Sequence, residues 1–185
     1  MLPGMPYELH PAIEPDHWKG LTDDWLPEVL INLNGSGEYA NDNRPPREQR
    51  GIYCFFEDGK PLYVGRTSIT ARTREEGGDP STSFRTRYDQ HTQDATPPGT
   101  APFAWRLTKE ALAKKGIDVP EDWWENRKGT ASKIYDEYTA QKARIRKMRV
   151  KIATFDDDER GVRSHTAEVY AHVQLKTPYN DFSTS

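Results

Sequence analysis

Three side chains near the C-terminus have the types and the spacing of a metal site on a helix. His165, Glu168 and His172 are three and four residues apart, so a helix would bring them to one face. Imidazole and carboxylate groups on one helix face can bind a transition metal such as zinc. No further ligand with a clear spacing accompanies them, and Glu168 alone could equally be a solvated residue of a helix surface. The helical metal site is therefore one of several open interpretations of Glu168.

A dense run of basic residues precedes this segment. Six of the ten residues from Lys142 to Lys151 are basic. The members that we predict to bind nucleic acid are Lys142, Arg144, Arg146, Lys147 and Arg149. Contacts from Lys and Arg to phosphate dominate the affinity of proteins for nucleic acids. The alternative is a solvated helix end, where cations interact favourably with the helix dipole.

The clearest local structure is the segment GIYCFFEDGKPLYVG, residues 51–65. Two runs rich in β-branched and aromatic residues flank Asp58 and Gly59, a pair that suits a two-residue turn. The segment therefore predicts a β-hairpin.

Gly51, Ile52 and Tyr53 are followed after nine residues by the triplet Tyr63-Val64-Gly65. These two triplets, with a hairpin turn between them, resemble the GIY-YIG nucleases. The resemblance spans residues 51–182 with insertions. It implies an enzyme that cuts DNA phosphodiester bonds with one divalent metal ion, Mg²⁺ or Mn²⁺.

The resemblance also implies an arginine on the first helix after the hairpin, often with a His or Tyr one turn later. Arg87 and His91 are four residues apart and would share a helix face, so we assign these roles to them. The usual spacing instead falls on Thr73, which is flanked by Arg72 and Arg74 as alternatives. Assigning Arg87 requires residues 68–83 to be an inserted loop.

A glutamate metal ligand on a later helix, followed by an asparagine after a turn with proline, completes the family pattern. Glu168 and Asn180, twelve residues apart in the chain, resemble this pair. A single carboxylate, with waters and phosphate oxygens, is a normal way to hold Mg²⁺. The resemblance thus implies that Glu168 binds the metal, with Asn180 and Gly65 in supporting positions.

Hydrolysis of a phosphodiester requires activation of water and neutralisation of charge on the phosphate. The resemblance leaves the general base open between the two tyrosines, and we favour Tyr53, assisted by His91, with Tyr63 positioning the phosphate or the water. A tyrosine can act as a base only if a nearby cation lowers its pKa from about 10. We expect Arg87 and the metal ion to supply that field, and Arg66 to add a second positive charge beside the phosphate.

Composition limits the class of protein. The chain has 185 residues, of which 34% are hydrophobic and 30% charged, with a formal net charge of −3 and one cysteine. No run approaches the roughly 20 apolar residues of a transmembrane helix, and no secretory signal is visible, so we expect a cytoplasmic protein without a membrane partner. The small net charge means that any DNA-binding surface must be a local basic cluster.

The order of elements predicts an α+β fold, in which a small mixed β-sheet begun by the hairpin is packed with helices. Residues 1–50 are interpreted as an N-terminal helical extension and linker, with a helix over residues 16–33 that Pro27 splits. Residues 51–185 are interpreted as the nuclease domain, with insertions at 68–83 and 117–147. The function expected is DNA cleavage, and the alternative is a catalytically inactive nucleic-acid-binding module on the same scaffold.

Overall fold

The computed structural model of the chain describes residues 21–47, 49–67, 83–120, 123, 130–155 and 162–180. Its elements in chain order are a π-helical turn Leu21–Trp25, α1 Leu26–Gly35, β1 Gly51–Glu57, β2 Lys60–Arg66, α2 Phe84–Thr92, a 3-10 turn Pro98–Thr100, α3 Pro102–Lys114, α4 Thr130–Ile145, β3 Arg149–Thr154 and α5 Val162–Leu175. Both helices and strands are present, so the α+β class is confirmed. No helix in the described ranges is both long and apolar enough to cross a membrane.

The three strands form one antiparallel sheet in the order β2, β1, β3. The hairpin is confirmed, since Asp58 and Gly59 form its turn with φ of 51° and 74°. Two successive residues with positive φ match the right-handed twist of the flanking strands, which explains the Asp-Gly pair. The prediction of a mixed sheet is wrong, because β3 pairs with the free side of β1 in the antiparallel sense and no described strands pair in parallel.

Side chains along β1 point alternately to the two faces of the sheet, and each face packs into its own hydrophobic core. Tyr53 and Phe55 face an aromatic-rich core that α2, α3 and α4 complete. Ile52 and Cys54 face a smaller aliphatic core. That second core is closed by α1, which contributes Leu26, Val29 and Leu33, and by α5, which contributes Ala167 and Ala171. The sheet is thus covered by helices on both faces.

The segment before the hairpin packs on this sheet. Pro27 lies in the first turn of α1, where its missing N–H is not needed, so it does not interrupt the helix that follows. Further along, Tyr39 exchanges two backbone hydrogen bonds with Val150 of β3, at 2.8 and 2.9 Å. Residues 16–20 of the predicted N-terminal helix, and residues 68–82 of the predicted insertion, lie outside the described ranges.

The helices that follow the hairpin have clear local causes. The Ser83 side chain caps α2 by accepting a hydrogen bond from the backbone N–H of Thr86. Pro102 occupies the first turn of α3, and Gly116, at φ 65°, follows its end. The sequence predicts helices over residues 82–91, 103–115 and 164–175, the second of them ended by Gly116. These three correspond to α2, α3 and α5, with bounds that differ by at most two residues.

Candidate active site

Tyr53 and Gly65 lie opposite each other on β1 and β2. A Cβ atom at Gly65 would lie 2.3 Å from the hydroxyl oxygen of Tyr53 and 2.4 Å from its Cζ atom. The aromatic ring of Tyr53 therefore lies directly over the β2 backbone at Gly65, and only a glycine leaves room for it. A glycine is needed at position 65 because of its contact with the Tyr53 ring, and not because of its backbone angles.

The Tyr53 hydroxyl is 3.2 Å from Nε2 of His91. Burial, reinforced by the charges of Arg87 and Lys142, lowers the pKa of His91 to about 3. The imidazole is consequently neutral at physiological pH, and its Nε2 can accept the Tyr53 O–H. Its other nitrogen, Nδ1, is buried without a hydrogen-bond partner among the described residues.

Tyr63 lies beside this pair on β2. Its ring stacks on Phe103 at 4.9 Å between centroids and meets the His91 ring at 5.5 Å. Burial raises the pKa of Tyr63, and the negative charge of Glu168 raises it further. Burial, with Tyr63 and Glu168, likewise raises the pKa of Tyr53 well above its usual value. The expected field of Arg87 acts to lower both, but it is smaller than the effect of burial, so both tyrosines are protonated at neutral pH.

Glu168 of α5 reaches the end of β2 and forms an ion pair with Arg66, with 3.1 Å between Oε2 and Nε. The Nη2 atom of Arg66 also lies 3.3 Å from Nε2 of His165. Burial raises the pKa of Glu168 to about 7, although the charges of Arg66 and Arg87 act in the opposite direction. The carboxyl group is therefore close to its titration midpoint at neutral pH.

Arg87 faces the same cluster from α2. Its charge affects the pKa of Tyr53, of Tyr63 and of Glu168, which places the guanidinium near all three. Nη1 donates a hydrogen bond of 2.9 Å to Oε1 of Gln90, whereas Nε is buried and has no acceptor among the described residues. The alternative arginines, Arg72 and Arg74, lie outside the described ranges.

Asn180 fixes the edge of the sheet next to the site. Its Oδ1 accepts from the backbone N–H of Val64 at 2.8 Å, and its Nδ2 donates to the Val64 carbonyl at 2.6 Å. The side-chain amide thus satisfies both backbone groups that the edge strand would otherwise expose. Thr177 donates a further hydrogen bond to Oδ1, so the turn after α5 is held against β2 between the two site residues Tyr63 and Gly65.

The alternative metal site on α5 does not form from the described residues. His165 lies against Arg66, while Nδ1 of His172 lies 2.8 Å from the Thr177 hydroxyl. Within the described ranges no three His, Cys, Asp or Glu side chains converge to bind a metal. Glu168 fits the other interpretation, since Oε1 makes no hydrogen bond with a described residue and a single carboxylate suits Mg²⁺, which keeps much of its water shell.

Several residues of the basic run bind other parts of the protein, and the first of them is Lys142. Lys142 is fully buried, and its Nζ donates to the carbonyl oxygens of Gln90 and Gln93 at 2.9 and 2.6 Å. A lysine with no exposed surface cannot follow a DNA backbone, so the predicted nucleic-acid-binding role of Lys142 is wrong. Lys142 lies on the face of α4 that packs into the core. The sequence does not indicate this, because lysine side chains are rarely buried.

Two more of the basic residues are engaged with the protein. Arg144 forms a two-fold ion pair with Glu57, and Arg146 donates to Asp94 and to the Thr92 carbonyl. The two remaining members are exposed, Lys147 and Arg149. Within the predicted set, the residues available for phosphate contacts are therefore those in and beside the turn between α4 and β3.

Arg106 belongs to the surroundings of the site, although no sequence motif indicates it. It lies on α3 and donates a 3.0 Å hydrogen bond to the Tyr179 carbonyl, and its charge opposes the larger effect of burial, which raises the pKa of Tyr63. Its position depends on how α3 packs against β2, which no local pattern encodes.

Comparison of the chain with protein-family models, with curated proteins and with solved structures found no match to any of them.

Proposed function

We propose that the chain is a metal-dependent endonuclease that hydrolyses DNA phosphodiester bonds with one divalent cation and a tyrosine as general base. The observation that carries the proposal is the convergence of five groups at the end of β2. They come from four elements and are Tyr53, Tyr63, Arg66, Arg87 and Glu168. This set combines a carboxylate, two guanidinium groups and hydroxyl groups, which together match the needs of phosphodiester hydrolysis.

Glu168 would hold Mg²⁺ or Mn²⁺ through its carboxylate. When bound, the cation supplies charge neutralisation at the phosphate and lowers the pKa of bound water. The ion pair with Arg66 keeps the carboxylate oriented toward β2 and frees Oε1 for the cation. Arg66 and Arg87 would pair with non-bridging phosphate oxygens, since a planar guanidinium fork matches the geometry of these oxygens.

Proton transfer in the proposed reaction runs through Tyr53 and His91. Because burial keeps Tyr53 protonated, its oxygen can accept a proton from water only if it passes its own proton on. The Nε2 atom of His91, 3.2 Å away, is the acceptor in reach. A bound anionic phosphodiester raises the low pKa of His91, so the relay is favoured when substrate is present.

Replacing Glu168 by alanine tests the proposal. We expect Glu168→Ala to lose Mg²⁺-dependent cleavage of plasmid and single-stranded DNA, and to lose Mn²⁺ binding measured by titration calorimetry. The matched control is Glu137→Ala, which removes another helical glutamate and its ion pair with Lys115 and should cut normally. Unimpaired cleavage by folded Glu168→Ala would refute the assignment.

The second candidate is a module of the same fold that binds nucleic acid without cutting it. The ion pair between Arg66 and Glu168 favours it, because this pair competes with a metal for the carboxylate. The position of Arg87 near both tyrosines favours the enzyme instead. DNA binding by the wild-type protein that does not change with Mg²⁺ or Mn²⁺, together with no cleavage, would select the binding module.

A further inference from the structure

The C-terminal turn of α2 has an unusual set of partners. This helix has nine residues, is too short to be stable by itself, and carries both Arg87 and His91. The last carbonyl groups of a helix have no partners within it. Whatever binds them fixes the position of His91, which lies next to the last residue of the helix.

Two cations bind these carbonyl groups, Lys142 in the last turn of α4 and Arg146 directly after its end. Lys142 Nζ donates to Gln90 and Gln93, at 2.9 and 2.6 Å, and Arg146 donates to Thr92. The backbone N–H of Arg146 donates to the Lys142 carbonyl at 2.9 Å, so the helical spacing continues to Arg146 and places the two side chains on the same side. Cations are favourable at the C-terminus of a helix, where its dipole is negative, and here they connect α4 to the helix that carries the site.

The ammonium group of Lys142 is enclosed by protein. It lies 4.8 Å from the ring centroid of Tyr138, near Asp94 and Arg146, whose charges act on it in opposite directions. Burial lowers the pKa of Lys142 to about 8. A lysine desolvated to this degree must gain from its contacts, and both of its hydrogen bonds go to the backbone at the end of α2.

Lys142 also acts on His91 through its charge. The titratable groups that face His91 are Tyr53, Tyr63, Arg87 and Lys142. The two cations among them disfavour the imidazolium form and so preserve the lone pair that the Tyr53 hydroxyl requires. Lys142 therefore holds the end of α2 beside His91 and, together with Arg87, adds to the effect of burial that keeps the imidazole neutral.

We propose that Lys142 is a positioning residue, which fixes the end of α2 together with Arg146 and holds His91 as a neutral hydrogen-bond acceptor for Tyr53. Its catalytic consequence rests on the proposed nuclease function, but its effect on His91 does not. The role differs from phosphate binding, because Lys142 has no surface to offer to a nucleic acid.

The test compares Lys142→Met with Arg144→Met in the full chain. Both variants remove a cation from α4, but Arg144 binds Glu57 rather than α2. In ¹⁵N NMR of the imidazoles, we expect His91 to become protonated at a higher pH in Lys142→Met than in the wild-type protein, with Arg144→Met unchanged. An unchanged His91 titration in folded Lys142→Met would overturn the proposal.

Cleavage kinetics provide the second measurement. We expect Lys142→Met to lower kcat about tenfold or more with KM for DNA unchanged, since the residue acts through His91. A raised KM with normal kcat would overturn the proposal in favour of a substrate contact. If the wild-type protein does not cleave DNA, the proposed function fails, and the His91 titration alone decides the role of Lys142.

A measurement without a Lys142 variant covers the case in which Lys142→Met does not fold. In a Glu168→Gln background, which removes the carboxyl group titrating nearby, the His91 nitrogen shifts should show an inflection near pH 8, where Lys142 loses its charge. His91 shifts that stay flat while Lys142 titrates would overturn the proposal.

Discussion

The hydroxyl of Tyr53 owes its place to the absence of a side chain at Gly65. The ring crosses β2 at that residue, so its hydroxyl lies within reach of His91 on one side and of the field of Glu168 on the other. A methyl group there would occupy the same space as the hydroxyl. The single hydrogen atom at Gly65 is therefore a requirement of the site geometry.

We expect Gly65→Ala to displace Tyr53 and break its hydrogen bond to His91. Overpacking of this kind costs about 1 to 3 kcal/mol of stability, and cleavage should fall by about two to four orders of magnitude, the usual contribution of a general base. Urea unfolding and plasmid cleavage measure the two effects. Gly35→Ala is the control, because a methyl group at Gly35 meets nothing within 4 Å; equal behaviour of the two variants would contradict this account.

The raised pKa of Glu168 makes a prediction about stability. A carboxyl with a pKa of about 7 in the folded state and about 4.3 in the unfolded state binds its proton more tightly when folded. Its stabilising contribution is complete below about pH 4 and is lost as pH rises through 7. Glu168→Gln does not titrate, so between about pH 5.5 and 8.5 it should gain about 2 kcal/mol relative to wild type.

Chemical denaturation at several pH values measures this difference. Added Mg²⁺ should stabilise wild type above pH 7 and leave Glu168→Gln unaffected, since the cation binds the ionised carboxylate. A pH-independent gap between the two proteins would show that Glu168 ionises normally in the folded state.

At the residue scale, most of the candidate site residues could be predicted from the sequence, but the contacts between them could not. The spacing of Tyr53 and Tyr63 and the i, i+4 placement of Arg87 and His91 were visible in the chain. The contact of Tyr53 with His91 was not, since it depends on the packing of α2 against β1. The sequence leads us to expect a lowered tyrosine pKa, because it does not show that both rings are buried. Burial depends on the assembled core, and it raises the pKa of both tyrosines.

Among the elements, β2 is the one that the site depends on most. It is an edge strand, and its outer side is closed by the Asn180 side chain at Val64 and by the Tyr179 N–H, which donates to the Leu62 carbonyl at 3.2 Å. The turn after α5 therefore takes the place of a fourth strand and joins the helix carrying Glu168 to the strand carrying Tyr63.

Substitutions of Asn180 test this connection. Asn180→Ala leaves both backbone groups of Val64 without their partner, and we expect a loss of about 1 to 3 kcal/mol. Asn180→Asp keeps the acceptor but, when ionised, places a negative oxygen against the Val64 carbonyl. Its folded pKa is then raised, so Asn180→Asp should gain stability relative to Asn180→Ala as pH falls through that pKa.

Thermal unfolding of both variants between about pH 4 and 8 follows this effect. The acid-dependent recovery belongs only to Asn180→Asp, because alanine does not titrate. Parallel pH profiles for the two variants would mean that the side chain at 180 does not face the Val64 carbonyl.

The sequence predicted the elements better than their arrangement. The Asp58-Gly59 turn and the Gly116 helix end were readable because each depends on backbone angles set by a few adjacent residues. The direction of β3 was not, since it depends on where α4 returns the chain to the sheet. Lys142 illustrates the same limit, because its burial follows from the packing of α4 on α2 rather than from its own chemistry.

Across the whole molecule, the candidate site lies where the two helical layers meet. Tyr53, Tyr63 and His91 belong to the aromatic core on one face of the sheet, while α5, which carries Glu168, packs on the other face. At the end of β2, side chains from the aromatic core and Glu168 from α5 lie close to each other. Neither layer contains a complete site, so its chemistry requires the entire sandwich.

The distribution of charge over the molecule leaves a small basic surface for a polyanion. The net charge is −3, and Lys142, Arg144 and Arg146 are engaged with the protein, so of the basic run only Lys147 and Arg149 are left for the phosphate contacts that we expect outside the site. They lie in the turn between α4 and β3, and Arg149 pairs with Phe56, three residues along β1 from Tyr53. At about 3.4 Å per residue, this turn is about 10 Å from the site along the strand.

Charge reversal at these two residues tests whether this surface holds DNA beside the site. Each of Lys147→Glu and Arg149→Glu should weaken DNA binding and reduce the slope of log K against log salt by about one. Fluorescence anisotropy from about 50 to 200 mM salt measures the slope. Lys133→Glu makes the same charge change at an exposed residue near the start of α4, at the opposite end of that helix from Lys147, and should leave the slope nearly unchanged. Equal slopes for all three variants would mean that the molecule attracts DNA through its overall field and not through this turn.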